Sequence, residues 1–152
     1  MDIGKYITAF NEFWCFFDQA LLIDDKDYSI IALTDFYLIN EDWDLHTISR
    51  LLNPNTKIKK IRINYIYYEY NYNFICELLK KLYNSYILWK EFSKKVKIKY
   101  KWELRELEPF LLKEVRKLKK EDVKKILESK WNYILHINND THTGCYIKLV
   151  SD

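Results

Sequence analysis

The chain has 152 residues and a mass of 18.7 kDa, a length that fits one domain. Apolar residues make up 49% and charged residues 31%, which is enough for a hydrophobic core and too apolar for a disordered chain. With only 2 Gly and 2 Pro, the composition excludes collagen-like repeats, flexible linkers and the glycine loops that hold phosphate groups.

The charged residues are distributed unevenly along the chain. The formal net charge is only +3, but residues 1–50 hold 3 basic and 10 acidic side chains, whereas residues 51–152 hold 22 basic and 12 acidic ones. Two explanations fit this pattern. The halves neutralise each other within the fold, or the protein has two charged surfaces of which at least one meets a partner.

Cysteine usage and hydropathy predict a cytoplasmic protein. Cys15, Cys76 and Cys145 are far apart, odd in number and form no C-x-x-C pair, so we expect three free thiols instead of a disulfide framework. Polar residues interrupt the first twenty positions, and no apolar run reaches the roughly 20 residues that span a bilayer. We therefore expect no secretory signal and no association with a membrane.

Hydrophobic periodicity predicts alternating helices and strands in the first half of the chain. Apolar residues at spacings of three and four indicate helices, and apolar runs indicate strands, although a buried helix fits the run over 28–39 as well. We expect a break near Asp35, and Pro54 ends a helix because it disfavours the helical state of the residue before it. In order, the predicted elements are a helix over 4–20, a buried strand over 28–39, a short helix over 42–52 and a tyrosine-rich strand over 57–70.

The second half contains the most regular patterns. The predicted elements are a helix over 73–93, a strand over 95–105, helices over 109–128 with a break near 119–122, and a closing hairpin of 131–137 with 145–150. In the strand, charged residues alternate with Val96, Ile98, Tyr100, Trp102 and Leu104, which predicts one buried and one wet face, as in an antiparallel sheet.

This order of elements predicts the α+β class. We expect a single domain over residues 1–152, built as a layer sandwich in which a mainly antiparallel sheet packs against helices and the chain closes with a C-terminal hairpin.

Residues that could catalyse a reaction or bind a metal lack a suitable arrangement. His136, His142 and Cys145 are the best zinc candidates, with His46 or Cys15 as a distant fourth ligand, but their spacing matches no established ligand pattern. Cys145 with His142 and Asp140 has the residue types of a cysteine nucleophile, yet catalytic triads are normally assembled across a fold. We therefore predict no enzymatic activity, no metal site and no cofactor.

The acidic front of the chain is the predicted partner-binding site. The acidic side chains of this segment also have a purely structural explanation, since such residues are common in solvated turns and in the first turn of a helix. Their charge and the neighbouring aromatic rings would also suit a basic toxin or nuclease, because opposite charge speeds association and aromatic residues supply hot spots. We therefore expect a non-catalytic protein–protein interaction module, such as an inhibitor or immunity protein that neutralises a toxin or enzyme, or a viral or phage protein that binds a host factor. The candidate residues are Asp24, Asp25, Asp27, Glu41, Asp42, Trp43 and Asp44.

The lysines of the strand predicted over 95–105 indicate an alternative function, nucleic-acid binding. On the predicted strand the lysines would lie about 6.6 Å apart, but Tyr100 and Trp102 fall on the opposite, buried face. The strand therefore separates its cations from the rings on which nucleotide bases would stack. The lysines would also protect an exposed sheet edge. The candidate residues are Lys95, Lys97, Lys99, Lys101, Lys59 and Arg62.

Overall fold

The computed structural model describes residues 2–34, 36–39, 47–98, 111–137 and 145–150, with the backbone alone at 97, 98, 135–137 and 145–150. Helices and small sheets occur together, which confirms the predicted α+β class. The helices are α1 (Ile3–Glu12), α2 (Trp14–Asp18), α3 (Thr47–Leu51), α4 (Tyr72–Lys95), α5 (residues 111–115) and α6 (Lys120–Glu128). The strands are β1 (Leu21–Ile23), β2 (Ile30–Ala32), β3 (Tyr37–Ile39), β4 (Lys60–Ile63), β5 (Ile66–Glu69), β6 (Val96–Ile98), β7 (Asn132–Ile137) and β8 (Cys145–Val150).

The chain divides into two compact units. The first contains Met1–Ala20 and Ala32–Asn84, and the second contains Leu21–Ile31 and Ser85–Asp152. The expected single domain over 1–152 and its layer arrangement are not tested by this division and stay predictions.

The core of the first unit is made by the apolar faces of its helices and of β4. Asp2 caps the start of α1, because its Oδ1 accepts the backbone N–H of Gly4 at 3.0 Å. The hydroxyl of Tyr70 donates to the carbonyl of Leu51 at 2.7 Å and ties the chain after β5 to α3. Burial of a large apolar side chain stabilises the folded state by about 1.5–3 kcal/mol. The most deeply buried large side chains are Tyr6, Phe16, Phe17, Leu51, Ile61, Ile75, Leu79 and Leu82.

The second unit packs around the C-terminal half of α4. The rings of Trp89 and Phe92 are buried and stacked, with their centroids 5.9 Å apart. Buried Ser85 fixes the neighbouring segment by accepting the N–H of Ile23 at 2.7 Å and donating to the carbonyl of Leu21. Val123 and Ile126 of α6, with Val96, Val115 and Tyr133, complete this core.

Two predicted elements in the first half are interrupted in the structure. The helix expected over 4–20 is divided into α1 and α2 at Phe13, whose φ of −142° is not helical. The single strand expected over 57–70 is wrong, because β4 and β5 form an antiparallel hairpin. Asn64 and Tyr65 reverse the chain with φ values of 51° and 67°, the backbone geometry of a two-residue hairpin turn.

The antiparallel arrangement expected for the strand after α4 is also wrong. β6 pairs with β7 in parallel, with Val96 opposite Tyr133. Parallel neighbours need a long crossover, and the chain between these strands supplies one that contains α5 and α6. Val96 is buried as expected, whereas Tyr100, Trp102 and Leu104 lie outside the described residues.

Other predicted boundaries are confirmed. α4 extends the helix expected over 73–93 by one to two residues at each end. Residues 116–118 form a turn, and Lys119 is extended before α6, so the helical region of 109–128 breaks close to the expected place. β7 and β8 pair as the expected closing hairpin, from Asn132 opposite Val150 to Ile137 opposite Cys145.

Candidate interaction surface

The outward face of the sheet β3–β4–β5 carries two cross-strand rows of side chains, all of them exposed except half-buried Arg62. In the first row Arg62 of β4 lies between Tyr37 of β3 and Tyr67 of β5. Residues directly opposite on antiparallel strands share a face and lie about 4.5–5.5 Å apart at their Cβ atoms. In the second row Lys60 lies between Ile39 and Glu69. We call these six residues the tyrosine face; they are Tyr37, Ile39, Lys60, Arg62, Tyr67 and Glu69.

Arg62 is the central residue of the tyrosine face. Its guanidinium carbon lies 4.5 Å from the centroid of the Tyr37 ring, a cation–π contact. The buried Nε of Arg62 has no hydrogen-bond partner within the described part of the chain. The alternation that exposes Lys60 and leaves Arg62 half-buried also buries Ile61 and Ile63 on the other side of β4, at 0% and 6% exposure.

β5 is exposed on both of its faces. Tyr67 points outward and is 57% exposed, but Ile66, opposite buried Ile63 on the inner side, is still 54% exposed. Tyr68, also on the inner side, stacks on Phe74 at the start of α4, with ring centroids 5.7 Å apart. The core therefore covers β4 and leaves β5 overhanging, with apolar side chains open to solvent.

The turn between β4 and β5 holds a tyrosine in an unfavourable backbone conformation. Asn64 tolerates a positive φ, and its N–H donates to the carbonyl of Thr34 at 2.9 Å. Tyr65 has no such tolerance, and a left-handed conformation costs a non-glycine residue roughly 1–2 kcal/mol. Its side chain is 70% exposed at the tip of the hairpin. The chain thus keeps a large ring at the turn where glycine would be easier to accommodate.

The surface around β4 and β5 is basic. Over residues 57–70 the sequence holds the exposed lysines Lys57, Lys59 and Lys60, the half-buried Arg62 and one carboxylate, Glu69. This excess of three positive charges equals the formal net charge of the whole chain, +3. A partner that meets this surface therefore gains from carrying negative charge.

The structure places the predicted acidic residues in a turn of the second unit, where it describes them. The Oδ1 atom of Asp24 accepts the N–H groups of Lys26 at 2.8 Å and Asp27 at 3.1 Å, and these bonds hold the pKa of Asp24 below its ordinary value. Asp27 forms an ion pair with Lys120 of α6 at 2.5 Å. Asp25 is exposed in the same turn. The remaining predicted residues, Glu41, Asp42, Trp43 and Asp44, lie outside the described residues.

The predicted basic strand is described only at its start. The ammonium group of Lys95 donates to the carbonyls of Leu127 at 2.8 Å and Ser129 at 2.5 Å, so it caps the end of α6. The backbone of Lys97 lies in β6, and Lys99 and Lys101 lie outside the described residues. The other two predicted cations, Lys59 and Arg62, belong to the β4 region.

The described residues offer no metal-binding cluster of three or more His, Cys, Asp or Glu side chains. His136 and Cys145 lie on the paired strands β7 and β8, whereas His46, Asp140 and His142 are outside the described residues. Cys15 is a buried free thiol and Cys76 a half-buried one.

A cleft of about 430 Å³ lies between α1 and the first half of α4. Its cations are already engaged, because the Lys5 ammonium lies 4.7 Å from the Tyr83 ring centroid and Lys80 pairs with Glu77 at 3.3 Å. Burial raises the pKa of the Tyr6 phenol, while the charge of Lys80 opposes this shift. Neighbouring side chains therefore hold both ammonium groups of this cleft.

Comparison with known protein families, with curated proteins and with solved structures gives no match for this chain. In the described ranges, none of the helices combines the length and apolar character needed to cross a membrane.

The sequence-based prediction included Arg62 but missed its tyrosine neighbours as a site. Tyr67 was assigned to a single long strand, which placed it on the face opposite Arg62. The one available signal was Asn64, since asparagine favours the left-handed turn positions of a hairpin. Tyr65 beside it indicates a strand instead, because tyrosine is typical of strands.

Proposed function

We propose that this chain is a non-catalytic protein-interaction module that docks on another protein through the tyrosine face. The observation that carries the proposal is the row Tyr37–Arg62–Tyr67, which an antiparallel sheet holds with both tyrosines exposed. Tyrosine and arginine are the residue types most often found at interface hot spots. Tyrosine also loses little conformational entropy when it is covered.

The module acts in the cytoplasm as an inhibitor or immunity protein, or as a viral or phage protein that occupies a host factor. The acidic front predicts a basic partner, but two of its carboxylates are already bonded. Asp24 accepts N–H groups within its own turn, and Asp27 pairs with Lys120 of α6. The tyrosine face carries the opposite charge, so the partner surface proposed for it is acidic. The acidic front stays a second predicted contact.

Nucleic-acid binding is the second candidate, and one observation favours it. Unlike the predicted basic strand, the tyrosine face brings cations and aromatic rings together on one surface, as single-stranded nucleic acid requires. Two features favour a protein partner instead. The Arg62 guanidinium already occupies the Tyr37 ring on which a base would stack, and Glu69 places a carboxylate in the adjacent row.

The test is recovery of partners from an extract of the cells that produce the chain. The full chain is compared with a double variant, Tyr37→Ser with Tyr67→Ser, and with Ile87→Ser as a matched control, since Ile87 is an exposed apolar residue of α4 in the other unit (40% exposed). We expect a protein whose recovery falls about tenfold or more in the double variant alone. Recovery that depends on intact nucleic acid favours the second candidate, and recovery that ignores the tyrosines contradicts the proposal.

A further inference from the structure

The outer edge of β5 presents main-chain groups that pair with no strand among the described residues. The N–H of Tyr70 donates to the carbonyl of Lys59 at 2.9 Å. In an antiparallel ladder such bonded pairs alternate with non-bonded ones, so the pairs Lys60–Glu69 and Arg62–Tyr67 are non-bonded. The N–H and C=O groups of Tyr67 and Glu69 therefore point away from β4. No other strand among the described residues pairs with this edge.

This edge lacks most of the features that protect edge strands. Soluble proteins commonly place lysine, proline or a bulge there, or keep the strand very short. β5 contains Ile66, Tyr67 and Tyr68, and within the described part of the chain its protections are its four-residue length and Glu69. Side chains on both faces of β5 are exposed, so an added strand would find apolar contacts on either side of the sheet.

We propose that an extended acidic segment of a partner protein adds to this edge as a fourth strand, next to β5. The proposal rests on the protein-binding function and specifies how the partner binds. Main-chain bonds to Tyr67 and Glu69 supply affinity, and alternate side chains of the added strand meet Tyr67 on one face or Ile66 and Tyr68 on the other.

Charge decides between the possible occupants. A second copy of the chain would bring its own excess of three positive charges over residues 57–70 against the same basic surface, and like charges brought together oppose binding. An acidic segment is attracted to exposed Lys59 and Lys60 on the neighbouring strand region. β5 lies between the added strand and β4, so the two are about 9.6 Å apart. An acidic side chain of the added strand and a lysine side chain of β4 can span this distance together when both extend across β5.

The experiment uses selection of peptides from a random displayed library on the full chain, followed by synthesis of the selected sequences. We expect the selected peptides to combine Asp or Glu with β-branched or aromatic residues and to lack proline in the bound stretch. Each bound peptide is then methylated on one backbone nitrogen at a time. We expect affinity to fall several-fold to about tenfold at every second position and to change little at the positions between.

Two variants of the chain test the charge. Lys59→Glu with Lys60→Glu should weaken peptide binding about tenfold, because the partner is acidic. Lys124→Glu, at an exposed position on α6, should leave binding unchanged. The methylation pattern is measured on the unaltered chain, so it is independent of how any variant folds.

Several outcomes overturn the proposal. The strand-addition proposal is wrong if the selection yields no acidic peptide, or if methylation does not weaken binding at every second position. In either case, partner recovery that depends on the tyrosines would still support the proposed protein-binding function. A concentration-dependent dimer that excludes the peptide identifies a second copy as the occupant. Displacement of the peptide by single-stranded oligonucleotide at equal affinity identifies nucleic acid.

Discussion

Arg62 and Tyr37 lie directly opposite each other on β4 and β3, with the guanidinium carbon 4.5 Å from the centroid of the ring. Both residues belong to the outward face of the sheet, so their contact holds two side chains of the tyrosine face in a defined arrangement. Ordered side chains lose less entropy when a partner covers them.

We expect a measurable coupling energy between these two residues. Arg62→Ala, Tyr37→Ala and the double variant form a cycle, and a cation–π contact at a partly exposed site contributes about 0.5–1 kcal/mol. Arg62→Lys should lose part of this energy, because an ammonium group lacks the planar surface that stacks on a ring. Urea unfolding of the four proteins measures the coupling, and a value near zero would show that the contact does not order the face.

Tyr65→Gly should stabilise the protein. Glycine adopts a positive φ without steric penalty, so we expect a gain of about 1 kcal/mol from relief of the strained turn. Asn64→Gly is the control, with a smaller gain because asparagine already tolerates this conformation. Thermal unfolding of both variants gives the change in stability. A destabilised Tyr65→Gly protein would mean that contacts of the ring outweigh the strain.

Ser85→Ala should destabilise the second unit strongly. The Ser85 hydroxyl serves both the N–H of Ile23 and the carbonyl of Leu21 in a buried position, and each buried group left without a partner costs about 1–3 kcal/mol. We expect a loss of about 2 kcal/mol or more in urea unfolding. Ser93→Ala is the matched control, because Ser93 donates to the carbonyl of Trp89 within the same helix. An equal loss in both variants would contradict this explanation.

The Asp24 turn should make stability depend on pH in the acid range. Its pKa is lowered by the N–H groups of Lys26 and Asp27, so its contribution is fully present above the pKa of the unfolded chain. That contribution disappears as pH falls through the lower pKa of the folded state. NMR titration of the Asp24 carboxyl gives its folded pKa. The stability difference between the natural protein and Asp24→Asn should change only at acid pH, and a pH-independent difference would refute the role of the charge.

Charge reversal on the two predicted surfaces separates the two candidate functions. Asp42→Lys with Asp44→Lys should slow partner association if the acidic front makes contact, whereas nucleic-acid binding predicts that Lys97, Lys99 and Lys101 changed to Glu abolish oligonucleotide affinity. We expect only weak oligonucleotide binding near physiological salt, since phosphate contacts weaken by roughly 0.7–0.9 log units each per tenfold salt increase. Submicromolar binding there, lost in the lysine variants, would favour nucleic acid.

Hydrophobic periodicity predicts the long helix α4 well and the β4–β5 hairpin poorly, because many residues define a helix and only two define this turn. The stripe Ile75, Leu79, Leu82, Tyr86 and Trp89 repeats over many turns, and the structure buries all five. A turn is decided by two residues, and Asn64 followed by Tyr65 resembles strand sequence more than the glycine-containing turns typical of hairpins. Because the turn is not recognised from the sequence, the side chains of β5 are predicted on the wrong face of the sheet, since neighbouring strand residues point to opposite faces.

The amino-acid sequence by itself determined the α+β class, the apolar positions of the helices and the division into an acidic front and a basic remainder. These properties follow from local patterns and counts, which do not depend on distant contacts. Only the tertiary structure decided that Tyr37 and Tyr67 flank Arg62, because residues far apart in sequence become neighbours through strand pairing. It also decided that β5 overhangs the core, since exposure depends on what packs beneath a strand and not on the residues of the strand alone.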